Sequence, residues 1–315
     1  MDKLFNKIIC GDCIEILGKV GEPFADLIFA DPPFNIGYKY DKYYDKVKNK
    51  NYIAWTKEWM GVCKGVLKPN GSFYIAIGDE YAANVKVIAD ESGLFMRNWL
   101  IWHYTFGQQT KNKFARSHTH IFYFVNDKKN FTFNEHAVRV PSDRQLIYND
   151  RRANPAGKMP DDVWGEFSRV CGTFKERAGW HPCQMPENLL KRIIAVSSAP
   201  GDCVLDPFSG SGTTLAAAKQ LGRNYVGVEI SRKYVENAKK RLAQLEKQYG
   251  GNGHLEPMEM TELKRLVNET AIPIREIADD KNLLVLFTNQ FSVRMNNGKR
   301  YSTEEIATVL RDSAD

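Results

Sequence analysis

The 315-residue chain has no apolar run approaching the roughly 20 residues needed to span a bilayer. Its N-terminus carries no signal-like apolar stretch. Both absences speak against a membrane or secreted protein. Cysteine and histidine are scarce, with six of each. The cysteines (Cys10, Cys13, Cys63, Cys171, Cys183 and Cys203) are scattered, which argues for free thiols in a reducing, cytoplasmic setting. Cys10-Gly11-Asp12-Cys13 is the single C-x-x-C, and no second pair stands at zinc spacing, so no metal is expected. No Gly-Lys-Ser/Thr follows a glycine-rich turn, which excludes a P-loop. Internal repeats and low-complexity tracts are missing as well.

What is present is an ordinary globular composition, 43% hydrophobic and 26% charged. The length suits one large α/β domain with a smaller appendage. The net charge of +6 is unevenly placed: residues 103–180 hold 13 Lys/Arg against 8 Asp/Glu. Phosphate binding requires such a local basic surface, although a solvated basic face gives the same count.

Short apolar runs at 7–10, 26–30, 72–77, 96–104 and 119–125 read as strands, and 52–66 and 80–91 as helices. Residues 67–71, Leu-Lys-Pro-Asn-Gly, read as a helix stop followed by a turn. Residues 128–179 lose this periodicity and carry Pro141, Pro155 and Pro160 among polar clusters, as a functional insertion does. The pattern resumes with helices at 187–198, 213–221 and 232–248 and strands at 202–206 and 224–230. A glycine linker at 250–253 precedes helical stretches at 260–268, 273–279, 281–290 and 303–311. Strands alternating with helices predict a Rossmann-like, mostly parallel sheet covered on both faces, with an inserted irregular region and a small helical C-terminal extension.

Two runs that follow strands carry the chemistry. In the first, Asp206-Pro207-Phe208-Ser209-Gly210-Ser211-Gly212-Thr213-Thr214, glycines at a strand-to-helix turn let backbone approach a ligand. Glu229 ends the next strand, about 20 residues on, where an acidic residue binds ribose hydroxyls. The third glycine of G-x-G-x-x-G is replaced by Leu215. An acidic strand end suits a cation better than a pyrophosphate, so S-adenosylmethionine is favoured over a dinucleotide.

The second run is Asp31-Pro32-Pro33-Phe34. The exocyclic amine of adenine or cytosine is a poor nucleophile because its lone pair is delocalised into the ring. Asp31 and the Pro32 carbonyl can each accept an amino hydrogen and stabilise the tetrahedral nitrogen as charge develops. The prolines fix the carbonyl direction, and Phe34 can stack on the base. A paired base cannot reach such a pocket, so base flipping is implied. Read blandly, this run is a Pro-Pro turn after a buried strand.

These residues resemble the catalytic and cofactor motifs of DNA amino-methyltransferases. Their order, catalytic before cofactor, is similar to the permuted β class of that family. His181-Pro182-Cys183-Gln184-Met185-Pro186-Glu187 resembles the family's His-Pro segment, and Gly11-Asp12-Cys13-Ile14-Glu15 its Gly-Asp segment. The resemblance covers approximately residues 6–248.

The resemblance implies roles residue by residue. Asp12 would contact the cofactor's adenine and Glu229 its ribose, with Asp206, Phe208, Gly210, Ser211, Gly212 and Thr213 lining the remainder and His181 nearby. Residues 1–127 would be the catalytic half, 128–180 the target-recognition region, 181–249 the cofactor half and 255–315 a separate helical unit. Lys111, Lys113, Arg116, Arg139, Arg144, Arg151 and Arg152 are the candidate contacts to double-stranded DNA.

Cys183 and Met185 depart from residues common in the His-Pro segment, and Phe34 replaces the commoner Tyr. Asp31 resembles the adenine-N6 members, which makes a site-specific adenine-N6 DNA methyltransferase the leading reading. Cytosine-N4 transfer is the alternative. An RNA or protein-amide methyltransferase and a non-catalytic DNA-binding regulator stand further off. A homodimer and a cognate restriction endonuclease are the candidate partners. Trp55, Trp59, Trp99 and Trp102 read as core, and His118 and His120 as structural histidines on a strand.

Overall fold

A computed structural model describes the chain outside residues 1–3, 109, 141, 143, 145–147, 149, 151, 153, 155–156, 173–175, 248–254, 256, 271, 296–300 and 314–315. Its first half runs β1 (Lys7–Cys10), α1 (Cys13–Leu17), β2 (Ala25–Ala30), β3 (Tyr38–Lys39), β4 (Tyr44–Asp45), α2 (Asn49–Val66), β5 (Leu67–Ile77), α3 (Asp79–Glu91), β6 (Phe95–Gln108) and β7 (Arg116–Val125). After β8 (Val163–Trp164) come α4 (Glu187–Ser197), β9 (Cys203–Asp206), α5 (Thr213–Gln220), β10 (Asn224–Glu229) and α6 (Arg232–Lys247).

Eight strands form one sheet in the order β1-β10-β9-β2-β5-β7-β6-β8. From β1 through β5 every neighbouring pair is parallel. Only β7 runs against its neighbours, β5 and β6. Every residue of β2 and of β9 is buried, as expected of parallel strands covered on both faces. Leu17, Trp59, Met60 and Ile88 of α1–α3 pack one face, and Leu190, Ala217 and Ala238 of α4–α6 pack the other.

This strand order creates a binding crevice. From β2 the chain moves outward to β5, whereas from β9 it moves outward to β10 on the opposite side. β2 and β9 are neighbours, so the crevice opens between their carboxyl ends, where open α/β sheets bind ligands.

The 67–71 turn takes another form. Helix α2 passes directly into β5, with Leu67 beside Ala25 and Ser72 beside Leu27, so the residues between bulge from the ladder. In the irregular segment, the described residues form a 3-10 turn (Glu135–Ala137), a bridge between Val140 and Lys158, and β8 at the sheet edge.

Helices α7 (Pro257–Thr270), α8 (Ile274–Asp279), α9 (Lys281–Met295) and α10 (Thr303–Asp312) enclose their own core of Leu263, Leu266, Ile277, Phe291, Ile306 and Leu310. This unit meets the main body where Gln290 donates to the Arg139 carbonyl at 3.1 Å. Among the described residues no helix is long and apolar enough to cross a membrane.

Candidate active site

At the carboxyl edge of the sheet lies a cavity of about 550 Å³. Four strand ends supply its acids: Asp31 follows β2, Asp206 ends β9, Glu229 ends β10 and Asp12 stands two residues beyond β1. Residues far apart in sequence meet here because β2 and β9 pair directly, Leu27 beside Val204 and Ile28 beside Leu205.

On the β9–β10 side, Asp206 accepts the backbone N–H of Phe208 at 3.0 Å, which closes the turn. The Glu229 carboxylate accepts Gly210 N–H at 2.9 Å with one oxygen and Ser231 N–H at 2.8 Å with the other. Both oxygens are oriented by backbone and keep lone pairs for further donors. Gly210 has φ +43° and faces the His181 ring so closely that a Cβ would lie 2.8 Å from Nε2. His181 Nδ1 donates to the Cys183 carbonyl at 2.8 Å, which leaves Nε2 as the lone-pair nitrogen.

Phe208, Ser211 and Thr213 also line the cavity, and the Ser209 hydroxyl is buried there without a partner. Gly212 does not line it; with φ +72° it forms the N-cap of α5. Asp12 accepts Ile14 N–H at 2.8 Å and Glu15 N–H at 3.3 Å, so it caps α1 as well as facing the cavity.

On the β2 side, Asp31, Pro32, Pro33 and Phe34 all face the cavity. No donor among the described residues bonds the Asp31 carboxyl or the Pro32 carbonyl. The Pro33 carbonyl, by contrast, accepts the Tyr52 hydroxyl at 2.6 Å. Beyond it, buried Asp45 of β4 accepts Asn35 N–H at 2.6 Å and Ile36 N–H at 3.3 Å. Gly78, at the end of β5, leaves room for the Phe34 ring, which a Cβ there would approach to 3.3 Å.

Electrostatics follow from burial. Desolvation, with Asp206 beside it, pushes Asp31 up to about 7. Asp206 also rises to about 7, because burial and Glu229 outweigh its bonds from Thr214 and Phe208. Burial raises Glu229 and lowers His181 to about 4, so that imidazole is neutral. A cavity floor of destabilised carboxylates favours a cationic ligand.

Several lining residues carry no clear sequence signal. Tyr40, in the hairpin between β3 and β4, crosses to Cys183 (3.7 Å), and its neighbour Asp41 accepts the Ser231 hydroxyl at 2.6 Å. This hairpin therefore links the two halves over the cavity. Its one cue is the aromatic and lysine alternation of residues 38–44. Tyr104 of β6 and Arg169 also line the cavity, with the Arg169 guanidinium 5.5 Å from the Tyr104 ring centre.

Trp59 and Trp102 are core residues, but Trp55 faces the cavity and Trp99 is 38% exposed. Trp55 packs against the core from the cavity side, whereas Trp99 departs from the core expectation because β8 covers β6 only at Ile101 and Trp102. His120 accepts the Trp99 indole N–H at 2.9 Å, a structural role, while His118 lines the cavity.

The basic candidates divide. Arg116 lines the cavity and pairs with Asp79 at 2.7 Å. Lys111 and Lys113 are exposed on the β6–β7 hairpin. Arg139 braces the fold, donating to the Gly157 carbonyl at 2.8 Å and to Glu135 at 3.0 Å. Arg144 is exposed, Arg152 is exposed and paired with Asp150 at 3.0 Å, and Arg151 lies outside the described residues. Among the described residues, no group of three His, Cys, Asp or Glu side chains is placed to hold a metal.

A family model of N6/N4 DNA methylases matches residues 25–240. The Type II methyltransferase M.HpaI of Haemophilus parainfluenzae is 33% identical over 304 residues, 96% of this chain and 91% of that protein. The DNA adenine methyltransferase YhdJ of Escherichia coli strain K12 is 40% identical over 246 residues, covering 75% and 82% respectively. Among solved structures, the cytosine-N4-specific PvuII DNA methyltransferase superposes with TM-score 0.58 at 19% identity, over 85% of this chain and 100% of that one. The M1.HpyAVI–SAM complex gives 0.52 at 21%, over 75% and 98%. At such identities the structures speak to fold alone.

Proposed function

The chain belongs to the N6/N4 DNA methylase family, and from that premise we propose that it methylates adenine N6 in duplex DNA with S-adenosylmethionine as donor. The observation that carries this reading is the convergence of Asp31 and Asp206 in one cavity at the β2–β9 switch point. Adenine is favoured by Asp31 at the head of the catalytic run and by the 40% identity to a DNA adenine methyltransferase.

The residues present fit the cofactor. Its sulfonium and ammonium are cationic, and the cavity floor carries the buried acids Asp31 and Asp206; its ribose has two hydroxyls, and Glu229 has two oriented carboxylate oxygens. Gly210, packed against the His181 ring, and Asp12 both line the same space. When bound, the cofactor supplies an electrophilic methyl group.

The chain's own residues prepare the acceptor. Phe34, seated over Gly78, stacks on the flipped base. Asp31 and the Pro32 carbonyl accept the two amino hydrogens, which directs the nitrogen lone pair away from the ring system. As that nitrogen becomes tetrahedral and gains positive charge, the Asp31 carboxylate stabilises it in a low-dielectric site, and the methylated amine then loses one of its two hydrogens as a proton to solvent. The Tyr52 bond to Pro33 holds the carbonyl array still.

DNA is the macromolecular partner. The basic composition of residues 103–180 supports phosphate contact there. The C-terminal helical unit, residues 255–315, has 8 Lys/Arg against 11 Asp/Glu and is a poor phosphate clamp. The type II naming of the M.HpaI relative supports a cognate restriction endonuclease, and a cytoplasmic location accords with a DNA substrate and free thiols. The notion of a homodimer rests on family resemblance.

The deciding experiment is incubation with methyl-labelled cofactor and mixed-sequence DNA, RNA and protein, followed by nucleoside analysis. Label recovered as N6-methyladenine in DNA supports the reading. Label as N4-methylcytosine transfers the same mechanism to cytosine, and label absent from DNA overturns it.

A further inference from the structure

The loop joining β6 to β7 carries a large apolar side chain that nothing covers. Phe114 is 99% exposed, against 72% for Tyr148, the next large hydrophobic among the described residues. A single exposed apolar residue is ordinarily unremarked, but this one has a built setting. Lys111, Asn112 and Lys113 precede it and are all exposed, and Arg116 follows.

Residues 110–114 are also held in shape. The Thr110 hydroxyl bonds the carbonyls of Lys113 and Phe114, closing the tip on itself. At the neck, a Cβ on Gly107 would lie 2.2 Å from the Arg116 carbonyl oxygen, so the two strands touch there as only glycine permits. Arg116 at that neck, and Tyr104 of β6 and His118 of β7 further down the same strands, line the cavity. The ring is thus carried by the same two strands that line the cavity, with Lys111, Lys113 and Arg116 close by in sequence.

That combination matches the chemistry of a paired nucleic acid at the moment of flipping. Extruding a base leaves an unstacked gap, and apolar wedges between base steps are a known way of filling one. Flanking lysines neutralise phosphates without reading sequence. We propose that Phe114 is a wedge that enters duplex DNA where the target base leaves the stack, with Lys111 and Lys113 against the adjoining phosphates. The proposal rests on the reading of the cavity as a base-flipping amino-methyltransferase site.

The test uses the full chain and two duplexes carrying the site mapped by sequencing DNA from an expressing host. One duplex is fully paired, and the other has an abasic nucleotide opposite the target base. Phe114→Ala is expected to slow methylation of the paired duplex by roughly tenfold or more and to leave the abasic duplex within about twofold of the unaltered protein. Lys111→Ala, a phosphate contact, is expected to weaken both alike and to reduce the salt dependence. Phe114→Trp is expected to keep activity, with its indole emission quenched by the paired duplex. Equal loss on both duplexes for Phe114→Ala, or no loss on either, overturns the wedge. An unaltered protein that methylates neither the duplexes nor host DNA overturns the underlying reading instead. Since Phe114 buries nothing, its removal leaves the core intact.

Discussion

The Tyr52 hydroxyl donates to the Pro33 carbonyl at 2.6 Å, joining helix α2 to the middle of the Asp31–Phe34 run. This bond occupies the carbonyl next to the one proposed to receive an amino hydrogen and so fixes the direction of both. Tyr52→Phe leaves a carbonyl without its partner, at about 1–3 kcal/mol. The expected result is a fall of roughly tenfold in kcat with cofactor Kd unchanged, read by steady-state kinetics and calorimetry. A matching loss of cofactor affinity would place Tyr52 elsewhere in the mechanism.

Asp31 and Glu229 border the same cavity but serve its two halves. Asp31→Ala is expected to lower transfer by at least about a hundredfold, the scale of a lost charge-stabilising group, with cofactor affinity retained. Glu229→Ala removes hydrogen bonds to a carboxylate worth about 1.5–3 kcal/mol each. Cofactor Kd is then expected to rise tenfold or more. Kd and single-turnover rates measured on both variants separate the roles, and identical profiles would refute the division.

Gly210→Ala places a Cβ against His181 Nε2 and imposes a left-handed conformation on a residue with a side chain. The conformational cost alone is about 1–2 kcal/mol. Cofactor affinity should drop while the melting temperature falls by only a few degrees. An alanine variant with native affinity would show that the turn has room to spare.

Asp31 and Asp206 stand near 7, above the ordinary 3.8 of a carboxyl. Between about pH 4 and 7 the native state therefore binds more protons than the unfolded chain, so stability falls as pH rises. His181, lowered to about 4, acts in the opposite sense only up to about 6.5, where its unfolded form loses its proton. Above that, no histidine opposes the carboxylates, and the buried thiols of Cys13 and Cys203, raised to about 12, act in the same sense. The cofactor-free protein should melt at a lower temperature at pH 8 than at pH 6.5. A cationic cofactor reverses the cost of ionisation, so it should bind more tightly at pH 8 and release protons on binding. Calorimetry in buffers of different ionisation enthalpy measures that release, and proton uptake would contradict it.

Much of this site is legible without coordinates. Asp31 and Asp206 each follow a short apolar run, and each run is a strand because its residues suit a fully buried, pleated backbone. Asp45 is illegible: an aspartate among lysines gives no hint that it is buried and holds the backbone N–H of Asn35. Arg139 and Arg116 look alike in sequence, yet one braces Glu135 and Gly157 and the other faces the cavity. A guanidinium's partner depends on which backbone passes near it, and that is a long-range matter.

The sequence by itself determined the two strand-end motifs, their order and the change of character between them, because strand periodicity, glycine turns and proline constraints are local properties of the chain. Only the tertiary structure decided that β2 and β9 are neighbours with diverging connections, that β7 runs antiparallel, and that the hairpin of residues 38–45 links both halves. Strand adjacency and direction come from packing between segments distant in sequence, and an apolar strand reads the same whichever neighbour it takes.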